Sequence, residues 1–255
     1  MDIRECYDEL ARQLKVEGKS IIDFIEENHL PNAPSKNNSI CFFCNSDKGL
    51  TKEHVLPRWT FEKITDKFFT TTVNNLDQTY NKTTIPACNN CNNNLLASIE
   101  KYVKQLFDST DLNSDFFTVS EIQNIIRWLE IIEYKFQILE IRRKFKRSHK
   151  IPFNKMFAGI PISVMRANIE SPNKALSQIR TCLKRLTVKS KRKKENSLLI
   201  FKTKNESFHF FHQMNEFIFL ELPQCKLAVF YFYELEFDTP LEAHDMAIKI
   251  MENVY

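Results

Sequence analysis

Glycine is nearly absent from this chain: three residues in 255, alongside nine prolines. Neither G-x-x-x-x-G-K nor G-x-G-x-x-G occurs, which argues against a glycine-rich, nucleotide-cradling fold. The shortage of both breakers also argues against extended disorder. No apolar run reaches 18 residues, so no transmembrane helix and no membrane partner are expected. The opening Met1-Asp2-Ile3-Arg4-Glu5 lacks the basic-then-apolar order of a secretory signal, and a cytoplasmic location is expected. In a reducing compartment disulfides are disfavoured, so closely paired cysteines point to metal.

What the chain does have is core material and unevenly spread charge. Twenty-two phenylalanines and a 43% hydrophobic content can fill one large domain or two smaller ones. The formal net charge is only +4, yet two stretches carry no acid at all. One holds Arg142, Arg143, Lys144, Lys146, Arg147 and Lys150; the other holds Lys184, Arg185, Lys189, Lys191, Arg192, Lys193 and Lys194. Either can neutralise phosphates, and the first adjoins a long expected helix, which favours it as a nucleic-acid contact.

Periodicity divides the chain. Residues 1–30 read as two short helices broken at Gly18, with Ile21, Ile22, Phe24 and Ile25 at helical spacing. A loop with Pro31 and Pro34 follows. A short strand is expected over Gly49–Leu56 and a second over Thr83–Ala87, joined by a connection that is partly helical around Trp59–Phe69. From Asn92, the residues Leu95, Leu96, Ile99, Val103 and Leu106 share one helical face. Thr118-x-x-Glu121 forms a capping box before a long apolar stripe, Ile122 to Leu139, that reads as core. A helix is expected near Lys174–Leu186. Four aromatic and β-branched runs then read as an antiparallel meander: Leu198–Thr203, Phe208–Met214, Glu216–Leu222 and Ala228–Phe237. Thr239-Pro240-Leu241-Glu242 opens a last helix.

Four of the seven cysteines form two pairs, Cys41/Cys44 and Cys88/Cys91, each with the C-x-x-C spacing. Four thiolates suit a closed tetrahedral structural zinc, with the residues between the pairs inserted as a subdomain. Four thiolates leave no open position, so a catalytic zinc is not expected there. Cys6, Cys182 and Cys225 stand alone and read as buried thiols.

Between the pairs lies Glu53-His54-Val55-Leu56-Pro57, and Asn92 directly follows the last cysteine. An imidazole with an ordinary pKa of about 6.5 is a natural base for activating water. A carboxylate and an amide oxygen suit Mg²⁺ or Mn²⁺. The alternative is a structural histidine beside the metal. The Asn-rich 89–94 segment can also meet phosphate at a helix start. Phe208, Phe210, Phe211, Tyr231 and Tyr233 can stack single-stranded bases, although alternating aromatics are more often core.

Taken together, Cys41-Phe42-Phe43-Cys44, Glu53-His54-Val55-Leu56-Pro57 and Pro86-Ala87-Cys88-Asn89-Asn90-Cys91-Asn92 resemble the HNH endonucleases. The resemblance spans about residues 39–107, under a third of the chain. It implies an α+β fold containing a ββα-metal, treble-clef-like module with a four-cysteine structural zinc. It also implies a metal-dependent endonuclease in which His54 is the general base while Glu53 and Asn92 hold catalytic Mg²⁺ or Mn²⁺. Glu100, on the same helix, is a further ligand, a supporting partner or simply a solvated helix residue. The family's middle asparagine falls at Thr83 here, with Asn81 or Asn75 as substitutes. The first basic residue after the third motif is Lys101.

The expected layout is an N-terminal helical segment (1–38), a nuclease module (39–110) and a helical plus antiparallel β region (111–255) for substrate or partner binding. The expected substrate is DNA, with family habits suggesting a bacterial or phage defence role and a regulatory partner or homodimer through the C-terminal region. The competing expectations are a non-catalytic zinc module that binds nucleic acid or protein, and a nuclease for structured RNA.

Overall fold

The computed structural model describes residues 2–30, 39–61, 68–71, 76–79, 83–111, 116–144, 172–188 and 195–254. Helix α1 spans Ile3–His29 and is opened by Asp2 and Glu5 in a reciprocal capping box. It runs through Gly18 without interruption, correcting the expected break. Helical glycine costs only about 1 kcal/mol relative to alanine. The amphipathic face Cys6, Leu10, Leu14, Ile21, Ile25 is buried, and that burial outweighs the local cost.

Strand β1 (Leu50–His54) pairs antiparallel with β4 (Thr84–Cys88). Between them stand a short 3₁₀ turn, Arg58–Phe61, and the hairpin β2 (Phe68–Thr71) with β3 (Leu76–Thr79). Phe68 and Phe69 are therefore strand residues, correcting part of the helical expectation for Trp59–Phe69; residues 62–67 lie outside the described ones. After β4 the chain enters a π-helical stretch, Asn90–Leu96, that continues as α2 (Ala97–Ser109). Strand, strand and helix thus follow in the order the spacing predicts.

Helix α3 (Val119–Lys144) starts at the foreseen cap: the Thr118 backbone N–H and hydroxyl both donate to Glu121. It is buried nearly all round from Asn124 to Ile141, with Ile125, Leu129, Ile132, Ile138 and Leu139 among its core residues. Trp128 stacks on Trp59 at 5.8 Å, and Phe107 of α2 meets both rings edge-on. Helix α4 (Pro172–Thr187) packs against α1 and α3.

The last sheet has the order β5-β8-β7-β6, with β5 Leu198–Lys202, β6 His209–Gln213, β7 Phe217–Leu222 and β8 Leu227–Phe232. All pairs are antiparallel. Only β6–β7–β8 is a meander; β5 adds to the far edge of β8, which corrects the sequence order expected for the sheet. Asn215 (φ 61°) and Lys226 (φ 53°) take left-handed conformations in the two turns. Along β7, Ile218, Leu220 and Leu222 face the main core, while Phe217 and Phe219 face a second core with Phe230, Phe232 and Ala243 and Ala247 of α5 (Pro240–Val254). Both faces are covered, so apart from buried Glu221 the strand reads as an apolar run rather than an alternation.

The aromatics considered for base stacking divide accordingly. Tyr231 and Tyr233 are fully buried, and half-buried Phe210 stacks on Phe136 at 5.4 Å. Among the described helices, none is long and apolar enough to cross a membrane.

Candidate functional site

The four paired cysteines come together, with sulfurs all within 4.8 Å of one another. Thiolates around one tetrahedral ion would sit about 3.8 Å apart, given metal–sulfur bonds of about 2.3 Å. Cys44 Sγ and Cys88 Sγ are 3.6 Å apart. The donor set and spacing therefore fit a metal ion. The first knuckle turns tightly: the Asn45 N–H donates to the Cys41 carbonyl at 2.9 Å, and Asn45 sits at φ 60°. Gly49 (φ 59°) follows, and its carbonyl accepts the Asn89 N–H at the second knuckle. A Cβ at Gly49 would lie 3.4 Å from the Asn89 side chain in a backbone conformation that L-residues rarely adopt, so glycine is favoured here. The hydrogen bond from Cys91 pulls the Cys41 thiol down to about 5, whereas burial pushes Cys44 up to about 12.

Of the three lone cysteines, Cys6 and Cys182 are buried as expected, while Cys225 is only half-buried.

The segment between the paired cysteines carries Glu53 and His54 to the end of β1. Side chains alternate, so Thr51 and Glu53 share one face and Lys52 and His54 the other. The Thr51–Glu53 face is turned inward: Glu53 is buried and Lys52 is exposed. In register, Glu53 lies across from Ile85 and His54 across from Thr84. The strand end is held by the Val55 N–H, which donates to the carbonyl of buried Thr83 at 3.0 Å. Thr83, where the middle asparagine of the resembled family falls, thus holds the strand end through its backbone. Asn75 and Asn81 lie outside the described residues.

Asn92 enters from the π-helical stretch. Its Nδ2 donates to Thr51 Oγ1 at 2.8 Å, and Thr51 Oγ1 in turn donates to the Ala87 carbonyl at 2.8 Å. The amide therefore docks on the inward face of β1, one pleat, or about 7 Å along the strand, from Glu53. His54 is half-buried; loss of water pushes its imidazole below the ordinary value, with Lys135 and Arg58 adding to the effect and Glu53 opposing it.

One residue here was not anticipated. Lys135, from the middle of α3, is 1% exposed and donates to Glu53 Oε1, to Glu100 Oε1 at 3.0 Å and to the His54 carbonyl at 3.2 Å. Burial raises the Glu100 carboxyl to about 7 against the pull of the ammonium, and the two carboxylates hold Lys135 above its usual range despite its burial. Its neighbour Tyr134 donates to the Phe42 carbonyl at 2.6 Å, so α3 also grips the first knuckle. The sequence signal for Lys135 was the polar residues Glu130, Glu133, Lys135, Gln137 and Glu140 threaded through an otherwise apolar helix.

The basic stretches are placed unevenly. Arg142 lies over the Phe42 ring at 5.6 Å, and burial followed by Arg143 lowers it to about 10. Arg143 is half-buried, and Lys144 ends α3. Lys146, Arg147 and Lys150 lie outside the described residues, as do Lys189 and residues 191–194. Arg185 faces inward: it donates to Glu130 at 2.7 Å and to Asn215 Oδ1 at 3.1 Å, and covers the Tyr233 ring. Lys184 is exposed.

No family model, curated protein or solved structure matches this chain.

Proposed function

We propose that the chain is a metal-dependent endonuclease of HNH type that hydrolyses phosphodiester bonds in DNA. The observation that carries this reading is the Asn92–Thr51 hydrogen bond, which docks the helix entry on the same face of β1 as Glu53, in the strand that ends at His54. The four cysteines suit a structural zinc because thiolates prefer it and a closed S₄ set leaves no open position. Cys41 and Cys44 before β1 and Cys88 and Cys91 at the entry of the following helix would hold the ion, which would tie those two segments together.

Glu53 and Asn92 offer hard oxygen donors for Mg²⁺ or Mn²⁺, with Glu100 adjoining Glu53 through Lys135. Such an ion supplies charge neutralisation at a scissile phosphate and at the leaving oxygen. His54 accepts the proton of the attacking water. Burial favours its neutral imidazole, the form a base requires. Arg142, Arg143 and Lys144 at the end of α3, with Lys146 and Arg147 beyond it, supply sequence-independent phosphate contacts. A defence role rests on family resemblance alone, and a regulatory partner or homodimer through the C-terminal region on the need to restrain a small nuclease in its host.

Plasmid nicking with Mg²⁺ or Mn²⁺ across pH 5–9 tests the reading. The rate is expected to fall on acidification with a midpoint below about 6.5, because the depressed histidine pKa keeps the base unprotonated to lower pH. Absence of nicking with either ion at any pH contradicts it. Cleavage of tRNA in preference to duplex and single-stranded DNA would reassign the substrate to RNA.

The buried Lys135–Glu53 pair favours a second reading. In that reading the module is a non-catalytic zinc platform for nucleic acid or protein, and both residues are structural.

A further inference from the structure

We propose that Lys135, which lies outside the motif-bearing segment, is the positioning residue of this site, fixing the Glu53 carboxylate and the His54 main chain in one arrangement. The inference rests on the nuclease reading above.

An ammonium has three donors, and here each has a different acceptor: Glu53 Oε1, Glu100 Oε1 and the His54 carbonyl. The first bond holds Glu53 by one oxygen and leaves the other for a second interaction. The third bond reaches the main chain of the proposed base, so a single nitrogen sets the acid and the histidine relative to each other. The contact is fully desolvated on the lysine side, with Lys135 at 1% exposure and Glu53 at 7%.

Stability alone is a weak reason for this arrangement. Buried ion pairs are often no more stabilising than apolar residues of the same volume. A structural pair would also need one carboxylate, whereas two converge here on one ammonium. The excess acid sits at the main chain of His54, on the strand face that Asn92 also joins. Lys135 also comes from α3, whose next-door Tyr134 grips the Phe42 carbonyl. The site is thereby referenced to the long central helix as well as to the metal-binding knuckles.

Positioning differs from ligation in what its loss does. Removing the ammonium takes one positive charge from the site, so Mn²⁺ should bind at least as tightly as before. The rate should nevertheless fall, because a displacement of about 1 Å costs on the order of 10²-fold. The test is plasmid nicking under Mn²⁺ titration by the full chain, comparing wild type, Lys135→Met and Lys135→Arg, with zinc content and thermal melting measured on each. Lys135→Met is expected to lower kcat about 10²-fold with an unchanged or lower half-saturating Mn²⁺ concentration. Lys135→Arg should recover only part of the loss, since a planar guanidinium cannot reproduce three divergent bonds. If Lys135→Met does not fold, Lys135→Met with Glu100→Gln keeps the cluster's net charge and is compared with Glu100→Gln alone; a further drop of at least tenfold is expected.

A folded Lys135 variant that nicks like its reference overturns the proposal and leaves the nuclease reading intact. A wild type that binds Mn²⁺ but does not nick overturns both.

Discussion

Changing His54 to alanine is expected to lower plasmid nicking by about 10²–10⁴-fold, the range for loss of a positioned general base, while leaving the fold in place. The side chain is half-exposed at the end of a strand whose backbone is held by the Val55–Thr83 bond and by pairing to Thr84. Neither depends on the imidazole. The melting temperature should therefore shift by no more than a few degrees, the scale of about 1 kcal/mol. A structural histidine predicts the opposite pattern, a large loss of stability with nicking per folded molecule unchanged. Measuring rate and melting on one preparation separates them. The His54→Ala protein should still bind Mn²⁺, since the oxygen donors Glu53 and Asn92 are untouched.

Replacing Cys88 by serine is expected to have the largest effect on stability. Cys88 closes β4 directly opposite Leu50, and its sulfur lies 3.6 Å from that of Cys44. Structural zinc in small modules contributes about 10–16 kcal/mol of apparent binding free energy, comparable with the whole stability of a typical domain, about 5–15 kcal/mol. Losing one thiolate should therefore reduce zinc from about one ion per chain to a small fraction and abolish cooperative melting of the segment between the knuckles. Elemental analysis and calorimetry, with and without a strong chelator, provide the check. A wild type that purifies without metal and melts identically with chelator would mean that the four cysteines are buried thiols only.

Much of the site's framework was legible because it depends on local spacing. Two C-x-x-C pairs, the short strands around Glu53-His54 and the helix after Cys91 each leave a periodic or spacing signature, and they recur at nearly the expected positions. The Thr118–Glu121 cap was legible for the same reason. Apart from the local β2–β3 hairpin, the expectations that failed depend on non-local packing. Gly18 does not break α1 because the helix buries a face on both sides of it. The position of β5 beside β8 is a pairing between strands about 25 residues apart, which no turn signal specifies. Arg185 was counted with a basic run, yet it answers Glu130 on a different helix.

Lys135 was missed for a related reason. In sequence it is one charge in an apolar stripe, normally a position at the edge of a buried face. Only the fold puts two carboxylates, from β1 and α2, within reach of it. Its neighbour Glu133 shows that the pattern is general to α3: burial would raise that carboxyl, but His212, Gln137 and the Asn215 N–H together hold it below the usual range. Polar residues on several faces of one helix were the available sign that α3 is enclosed nearly all round from Trp128 to Ile141.

The most direct measurement is anomalous diffraction at the manganese edge from crystals of the chain soaked in Mn²⁺ at neutral pH. The account predicts a single strong peak within about 2–2.5 Å of a Glu53 carboxylate oxygen and the Asn92 amide oxygen, with the His54 ring beside it and separate from the four sulfurs. A peak elsewhere, or none at these residues while the protein still nicks DNA, would contradict it.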